Sequence, residues 1–275
     1  TKRIKTRMIR KLYQSVFSEK YRMRSKQFLN RMTARFYQGD EYTCNCCEKS
    51  FKQFKAKGNT LVTRANAQCP FCGSLERTRT LLFYLRNETS LFTEPARLLH
   101  FAPESSLSPF FKKADNIDYV TADLNPNYAD YRVDIMNIPF CDESFDYIIC
   151  SHVLGHVPDE KQAIRELYRV LKPSGTALIA TILDRKNPHT FETGDADTPE
   201  KRLQYYSEPD LLRLRGNDFS KRLEEGGFQV EIIDYAVQLG DDKRKKYSLG
   251  DGSRELIFKC KKAESEESCI SETLD

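Results

Sequence analysis

Residues 98–106 read LLHFAPESS, an apolar run that stops at a proline. Leu98 to Phe101 suit a buried strand, and Pro103 cannot continue one. The question is what such a break serves, and the flanking pattern answers it. Candidate strands recur at Arg97–Phe101, Tyr119–Ala122, Tyr131–Asp134, Tyr147–Cys150, Ala177–Ile182, Gln229–Tyr235 and Leu256–Cys260. Helical patterns lie between them, clearest over Asp159–Leu171, where Ala163, Ile164, Leu167, Val170 and Leu171 mark one face. The alternation predicts an α/β fold, a mostly parallel sheet with helices on both sides. The last two strands are joined by a polar stretch too short for a crossover helix, which predicts antiparallel pairing.

Upstream the chain changes character twice. Residues 1–36 hold twelve Lys or Arg against one acid, Glu19. Ile4, Met8, Ile9, Leu12, Val16 and Phe17, then Phe28, Leu29, Met32 and Phe36, fall at helical spacing, which predicts a basic amphipathic helical segment over 1–39. Residues 40–73 carry five cysteines. A helix is expected from about Ser74 to Arg86, opening a main domain over 74–262. Residues 263–275 hold five acids and no base, an expected disordered tail.

At 275 residues, 39% of them hydrophobic, the chain can bury a full-sized core. No window nears 18 uninterrupted apolar residues, which excludes a helical membrane span. Nine cysteines without a secretion signal favour reduced thiols and metal ligation over a disulfide framework, so a cytoplasmic setting is expected.

Cys44-x2-Cys47 and Cys69-x2-Cys72 are separated by 21 residues. Two such knuckles present four thiolates to one tetrahedral Zn2+, and four thiolates leave no open position, so the site is structural. Gly73 lets the second knuckle turn, and Phe51 and Phe54 are expected to pack over the metal. Cys46 is a spare thiol. Cys141 and Cys150 read as small core residues.

In an open parallel sheet, ligands sit beyond the carboxyl ends of the strands. His100 and Glu104 fall at the first such end, Asp123 at the second, Asp134 at the third, and His152 and His156 after the fourth. Asp123, 19 residues past Glu104, is placed to meet ribose hydroxyls.

From Tyr42 to Lys262 the sequence resembles a class I S-adenosylmethionine-dependent methyltransferase of the type 11 group, in particular a bacterial branch with an N-terminal zinc ribbon. CPFCGSLERTR, LLHFAPE, YVTADL, DIMNIPFCDESFDYIICSHVL, IRELYRVLKPSG and GFQV carry the resemblance. It implies a Rossmann-like seven-stranded sheet with an antiparallel last strand, and a lid insert at about 184–216. It also implies that HFAPE stands where most class I enzymes have Gly-x-Gly-x-Gly. S-adenosylmethionine has no phosphate to cradle, so glycines are dispensable there. Glu104 would hold its ammonium, Asp123 its ribose, and Asp134 and Ile135 would border the adenine. His100, Phe101, Ala102, Leu124 and Ser151 complete the implied cofactor set. Glu104 also has the plainer reading of a charge favoured at a helix start.

For the acceptor, the branch implies a cell-surface glycan or its lipid-linked precursor. A hydroxyl nucleophile wants a base, and His152 or His156 is best placed, each being also readable as a structural histidine. His189, Tyr205, Tyr206 and Arg213 belong to the insert expected to close over the acceptor. Lys243 and Arg244, in the run Lys243–Lys246, could meet an anionic substrate or be a solvated hairpin tip. Two departures from the family pattern stand out. HVLGH replaces HVLEH at Gly155, and DLLRLRG replaces DHVRxYG, with Leu211 for the histidine and Arg215 for the tyrosine. They leave open a methyltransferase-like scaffold without turnover. The basic N-terminal helix suits docking on its own domain or on an anionic membrane better than nucleic acid, since few aromatics interleave with its bases.

Overall fold

The computed structural model describes residues 19–58, 63–250 and 256–262. The basic run before Glu19 and the acidic tail after Lys262 lie outside the described residues. Among the described residues, no helix is long and apolar enough to cross a membrane.

Helix α1 (Glu19–Thr33) leads into two antiparallel hairpins, β1 (Gln38–Cys44) with β2 (Lys49–Phe51), and β3 (Lys55–Gly58) with β4 (Thr63–Gln68). Helix α2 (Glu76–Asn87) connects them to the main sheet. The sheet strands are β5 (Ala96–Phe101), β6 (Ile117–Asp123), β7 (Tyr131–Arg132), β8 (Phe145–Ser151), β9 (Leu171–Ala180), β10 (Gln229–Ile233) and β11 (Ile257–Lys261). They lie in the order β10-β11-β9-β8-β5-β6-β7, and only β11 runs antiparallel. This is the seven-stranded Rossmann-like arrangement, with the order reversing between β5 and β8.

Burial follows the pattern of a sheet covered on both faces. Leu98, Leu99, Ile148, Ile149, Ala177 and Ile179 are all fully buried, as near-continuous apolar strands of a parallel sheet must be. Helix α3 (Ser108–Lys113) follows β5, and α4 (Glu160–Val170) lays Ala163, Ile164, Leu167 and Val170 on the sheet. The Asp159 side chain caps α4 by accepting from the Gln162 amide at 2.9 Å. Helices α5 (Pro199–Tyr206) and α6 (Phe219–Glu224) lie beyond β9.

Four expectations change. The third strand is only two residues, because Val133 leaves the sheet to enter the core and Asp134 turns back on Asn137. Residues 234–247 form no plain hairpin tip but two short helices, α7 (Tyr235–Gln238) and α8 (Asp241–Lys246). The antiparallel pairing of β10 and β11 holds all the same. Cys141 is exposed rather than core, whereas Cys150 and Cys260 are buried. The apolar stripe is not buried: Phe28, Leu29 and Met32 of α1 and Phe36 just after it are exposed, while Asn30 and Thr33 meet Lys55 Nζ of β3.

Candidate active site

The two cysteine pairs close on each other. Cys44 and Cys72 sulfurs lie 3.6 Å apart and Cys47 and Cys69 sulfurs 3.7 Å. All four lie within 4.8 Å of one another. Tetrahedral ligation with Zn–S bonds of about 2.3 Å needs sulfurs about 3.8 Å apart. The donor set therefore fits a zinc ion, which would tie the hairpins together. Each knuckle is followed by a left-handed residue, Glu48 at φ 58° and Gly73 at φ 78°, so the first makes with Glu48 the turn the second makes with glycine. Phe51 and Phe54 are buried over the sulfurs, and Cys46 lies outside the four, beside Asn45.

A second observation bears on the same site. Arg79 on α2 is fully buried and has no carboxylate within ion-pair distance among the described residues. Its guanidinium donates to the carbonyls of Ser74 (2.7 Å), Ala67 (3.1 Å), Tyr247 (2.8 Å) and Ser248, and lies over the Phe54 ring. Its Nη1 also reaches the Ser74 hydroxyl, which contacts the sulfurs of Cys44 and Cys72. A buried cation without a carboxylate is costly, and a metal–thiolate cluster of net negative charge on these four cysteines would supply the missing countercharge. Arg79 also rivets the hairpins to the segment after α8.

Where the strand order reverses, two loops turn out of the sheet with non-glycine residues in the left-handed region, Ala102 at φ 47° after β5 and His152 at φ 58° after β8. Ala102 thus adopts, at a steric cost, the backbone that glycine adopts freely, which is how HFAPE makes its turn. The loops are tied back, the Ala102 amide donating to the Ala122 carbonyl at 2.9 Å and the His152 amide to the Ala180 carbonyl at 2.7 Å.

Beyond them opens a cavity of about 700 Å3. Its floor is Ala102, Glu104, Ser151 and His152; one wall is Lys57, Gly58, Arg64, Leu75 and Arg77; the other is His156, Ile182–Asp184, Tyr206–Asp210 and Leu214. The volume lies within the roughly 300–1,000 Å3 of small-molecule sites.

Glu104 is set by a buried chain behind it. His100 is fully buried, with Nε2 2.8 Å from Glu104 Oε2 and Nδ1 2.9 Å from the Tyr119 hydroxyl, which contacts Ser108 at 3.0 Å. Tyr119, whose pKa burial pushes up, keeps its proton. Burial alone would raise Glu104, but the hydrogen bond from His100 and the charges of His100 and Arg77 more than offset it. The carboxylate stays ionised below its ordinary range. His100 is therefore a positioning residue behind Glu104, and Phe101 is buried core.

Asp123 ends β6 at the same edge, one strand over. Its Oδ1 accepts from the Asn125 amide at 2.7 Å. Leu124 is exposed beside it. Asp134 Oδ1 accepts from the Met136 amide at 2.9 Å, and Ile135 is 4% exposed, packed in the core. None of these four lines the cavity.

On the insert side, His156 Nδ1 donates to the Asp210 carbonyl at 3.0 Å, which fixes the tautomer that leaves Nε2 as the acceptor. Glu208 and Asp210 place carboxylate oxygens within 4.8 Å of the same ring. Arg213 and Arg215, expected as substrate contact and as departure, are structural. Both converge on buried Glu160, and they donate to the carbonyls of Leu154, Val157 and Pro158, splinting the loop that carries His156. Burial lowers Arg215 to about 10.

Gly155 and Leu211 turn out to be one change rather than two. A Cβ on Gly155 would sit 2.6 Å from Leu211 Cδ2, and the Leu212 amide donates to the Gly155 carbonyl at 3.0 Å. Leu211 fills the space that glycine leaves, in a small core with Tyr206 and Ala196.

Three further expectations are corrected. His189 lies outside the cavity, in a separate groove with Glu160, Lys221 and Arg222, because its backbone packs flat on Gly216. Tyr205 does not line the cavity; it packs with Phe191 and Tyr206, and of the pair only Tyr206 reaches the wall. Lys243 and Arg244 also stay out of it, since α8 packs on β1 and Arg244 pairs with Asp241 at 2.9 Å. Conversely Lys57, Arg64 and Arg77 were not singled out. Arg77 belongs to the CPFCGSLERTR stretch, whose helical register was the one signal.

A family described as "Methyltransferase domain" matches residues 108–179. Among curated proteins, demethylmenaquinone methyltransferase of Listeria welshimeri is 55% identical over 40 residues, 14% of this chain and 17% of that enzyme. The same enzyme of Staphylococcus epidermidis is 52% identical over 42 residues, 15% and 17% of the two chains. Each match thus spans about a sixth of the relative's length. Among solved structures, the Haemonchus contortus phosphoethanolamine N-methyltransferase 2 in complex with S-adenosyl-L-methionine is 14% identical, with a TM-score of 0.46 over 68% of this chain and 52% of that one. Residues 108–179 thus match a methyltransferase-domain family, and the sheet that carries them has the order of the class I S-adenosylmethionine-dependent methyltransferase fold.

Proposed function

We propose that the protein transfers a methyl group to a hydroxyl of a cell-surface glycan or of its lipid-linked precursor. The observation that carries the enzymatic part is the pairing, across one cavity, of an ionised Glu104 with a tautomer-fixed His156. S-adenosylmethionine supplies an already activated methyl on sulfur, so the protein's work is positioning and proton removal. Glu104, oriented by His100, accepts from the cofactor's ammonium. Asp123 offers its carboxylate to the ribose, with Asp134 at the adenine side. His156 Nε2 takes the hydroxyl proton, while the Asp210 carbonyl and the nearby Glu208 and Asp210 carboxylates stabilise the imidazolium that results. Cys44, Cys47, Cys69 and Cys72 would hold a Zn2+ ion that ties together the hairpins forming one wall. The exposed apolar stripe of α1, flanked by Lys and Arg, suits an anionic membrane surface, where a lipid-linked acceptor would be met.

Calorimetric titration of the zinc-loaded chain with S-adenosylmethionine and S-adenosylhomocysteine tests this. Micromolar binding, lost in Asp123→Ala with the fold intact, is expected. No binding of either ligand would leave a methyltransferase-like scaffold.

A further inference from the structure

The Lys57–Arg64–Arg77 wall is unlike the rest of the cavity. Three cations from two hairpin strands and a helix line it, and Lys26 of α1 stands close enough to act on Lys57. Arg64 is engaged by Glu76 at 2.9 Å. Lys57 and Arg77 have no carboxylate within ion-pair distance among the described residues, and Arg77 Nε is buried without a hydrogen-bond partner. Burial and the neighbouring positive charges of Lys26, Arg77 and Arg64 lower the Lys57 pKa, with Glu208 alone opposing them. Gathering like charges at the mouth of a cavity destabilises the protein alone, and an anion bound there relieves it. The facing wall carries Asp184, Glu208 and Asp210, so the cavity is polarised from one side to the other.

We propose that Lys57, Arg64 and Arg77 form an anion subsite that binds a phosphoryl or diphosphoryl group of the methyl acceptor. This rests on the methyltransferase reading above and deepens it. Donors from three elements surround a group with oxygens on several sides, which suits phosphate better than a planar carboxylate. Held there, the anion places the rest of the acceptor across the floor toward His156. The anion contact that Lys243–Lys246 could have offered thus falls to the hairpins that carry the four cysteines.

The test is titration of the zinc-loaded full chain with inorganic pyrophosphate, with and without saturating S-adenosylhomocysteine, in the wild type, Lys57→Gln and Arg77→Gln. The expected result is saturable binding that persists beside S-adenosylhomocysteine, weakens with added salt, and falls at least about tenfold in either variant. Retention of the circular dichroism spectrum and zinc content shows that the variants fold. Pyrophosphate that does not bind, binds the variants equally well, or displaces S-adenosylhomocysteine overturns the subsite. In the last case the cations serve the cofactor's carboxylate. Failure of S-adenosylhomocysteine itself to bind overturns the methyltransferase reading, and is seen in a separate titration. Two further probes separate the sources of the phosphate. Variant-sensitive binding of uridine diphosphate glucose supports a soluble sugar-nucleotide acceptor, and the same behaviour with phosphatidic acid vesicles supports a lipid-linked one.

Discussion

Arg79→Met should cost the protein about 3–5 kcal/mol, the range for removing one partner of a buried charged network. The guanidinium is fully buried and satisfies four backbone carbonyls from Ala67, Ser74, Tyr247 and Ser248. Methionine fills much of the volume but donates nothing, so those carbonyls lose their partners at ~1 kcal/mol or more each, partly offset because no charge is buried. The metal centre adds a second contribution. The path from Nη1 through the Ser74 hydroxyl to Cys44 Sγ is two contacts of 3.4 and 3.2 Å. A zinc tetrathiolate of charge −2 held there would attract the guanidinium by an energy on the order of several kcal/mol at an effective dielectric of ~20. That attraction would offset part of the cost of taking the charge out of water. Guanidinium denaturation of the zinc-loaded chain should therefore show a loss of several kcal/mol. A fall in Tm of about 10 °C should accompany it, at roughly 2–4 °C per kcal/mol for a domain this size. Zinc release to a chromogenic chelator should be at least about tenfold faster than in the wild type. Arg79→Lys should recover only part, because one ammonium cannot fork to four acceptors. A variant within about 0.5 kcal/mol of wild type that keeps its zinc would refute both the rivet and the countercharge.

Three other outcomes follow from the same geometry. Glu104→Gln should weaken S-adenosylhomocysteine binding by about tenfold or more, one charge-assisted hydrogen bond. Because the folded-state pKa of Glu104 is depressed, its contribution is present above the ordinary carboxylate pKa and is lost only as the pH falls through the lower folded value. Calorimetry between pH 8 and 5 should find no acid limb from this group, and one appearing near pH 6 would contradict it. Gly155→Glu alone should destabilise by about 1–3 kcal/mol through overpacking on Leu211, and adding Leu211→Ala should return most of it. Additive losses in the denaturation cycle would show that the two positions do not share the space. Glu160→Gln should cost about 3–5 kcal/mol by stranding buried Arg215. Limited proteolysis should then cut first within 184–216, and a wild-type cleavage pattern would argue against Glu160 as the anchor of that segment.

The sheet was legible because its strands are buried on both faces and read as apolar runs, and because the α4 stripe and the Cys-x2-Cys spacing are local patterns. What escaped the sequence depends on where segments meet. Nothing in Lys57 or Arg64 distinguishes them from the surface cations around them; they become a wall only because the hairpins pack over the end of the sheet. Arg213 and Arg215 look like substrate ligands until Glu160, more than fifty residues earlier, is seen to be buried between them. Gly155 and Leu211 looked like two losses of chemistry because their contact crosses the insert. Lys243–Lys246 misled for the converse reason: a dense local charge run attracts attention, yet α8 packs outward on β1.

The packing of the hairpins has a consequence for the metal. Structural zinc sites usually stabilise a module that stands apart from the chemistry, and their loss is then a stability defect alone. Here Gly58 and Arg64 lie on the same two strands that precede the second knuckle, and they line the cavity that holds Glu104. Zinc removal should therefore remove one wall of the site while leaving the sheet folded, since its core meets the sulfur cluster only through Cys46, which lies outside the four ligands. Chelation would then weaken pyrophosphate more than S-adenosylhomocysteine. Equal weakening of both would mean that the metal supports the whole domain rather than its acceptor side.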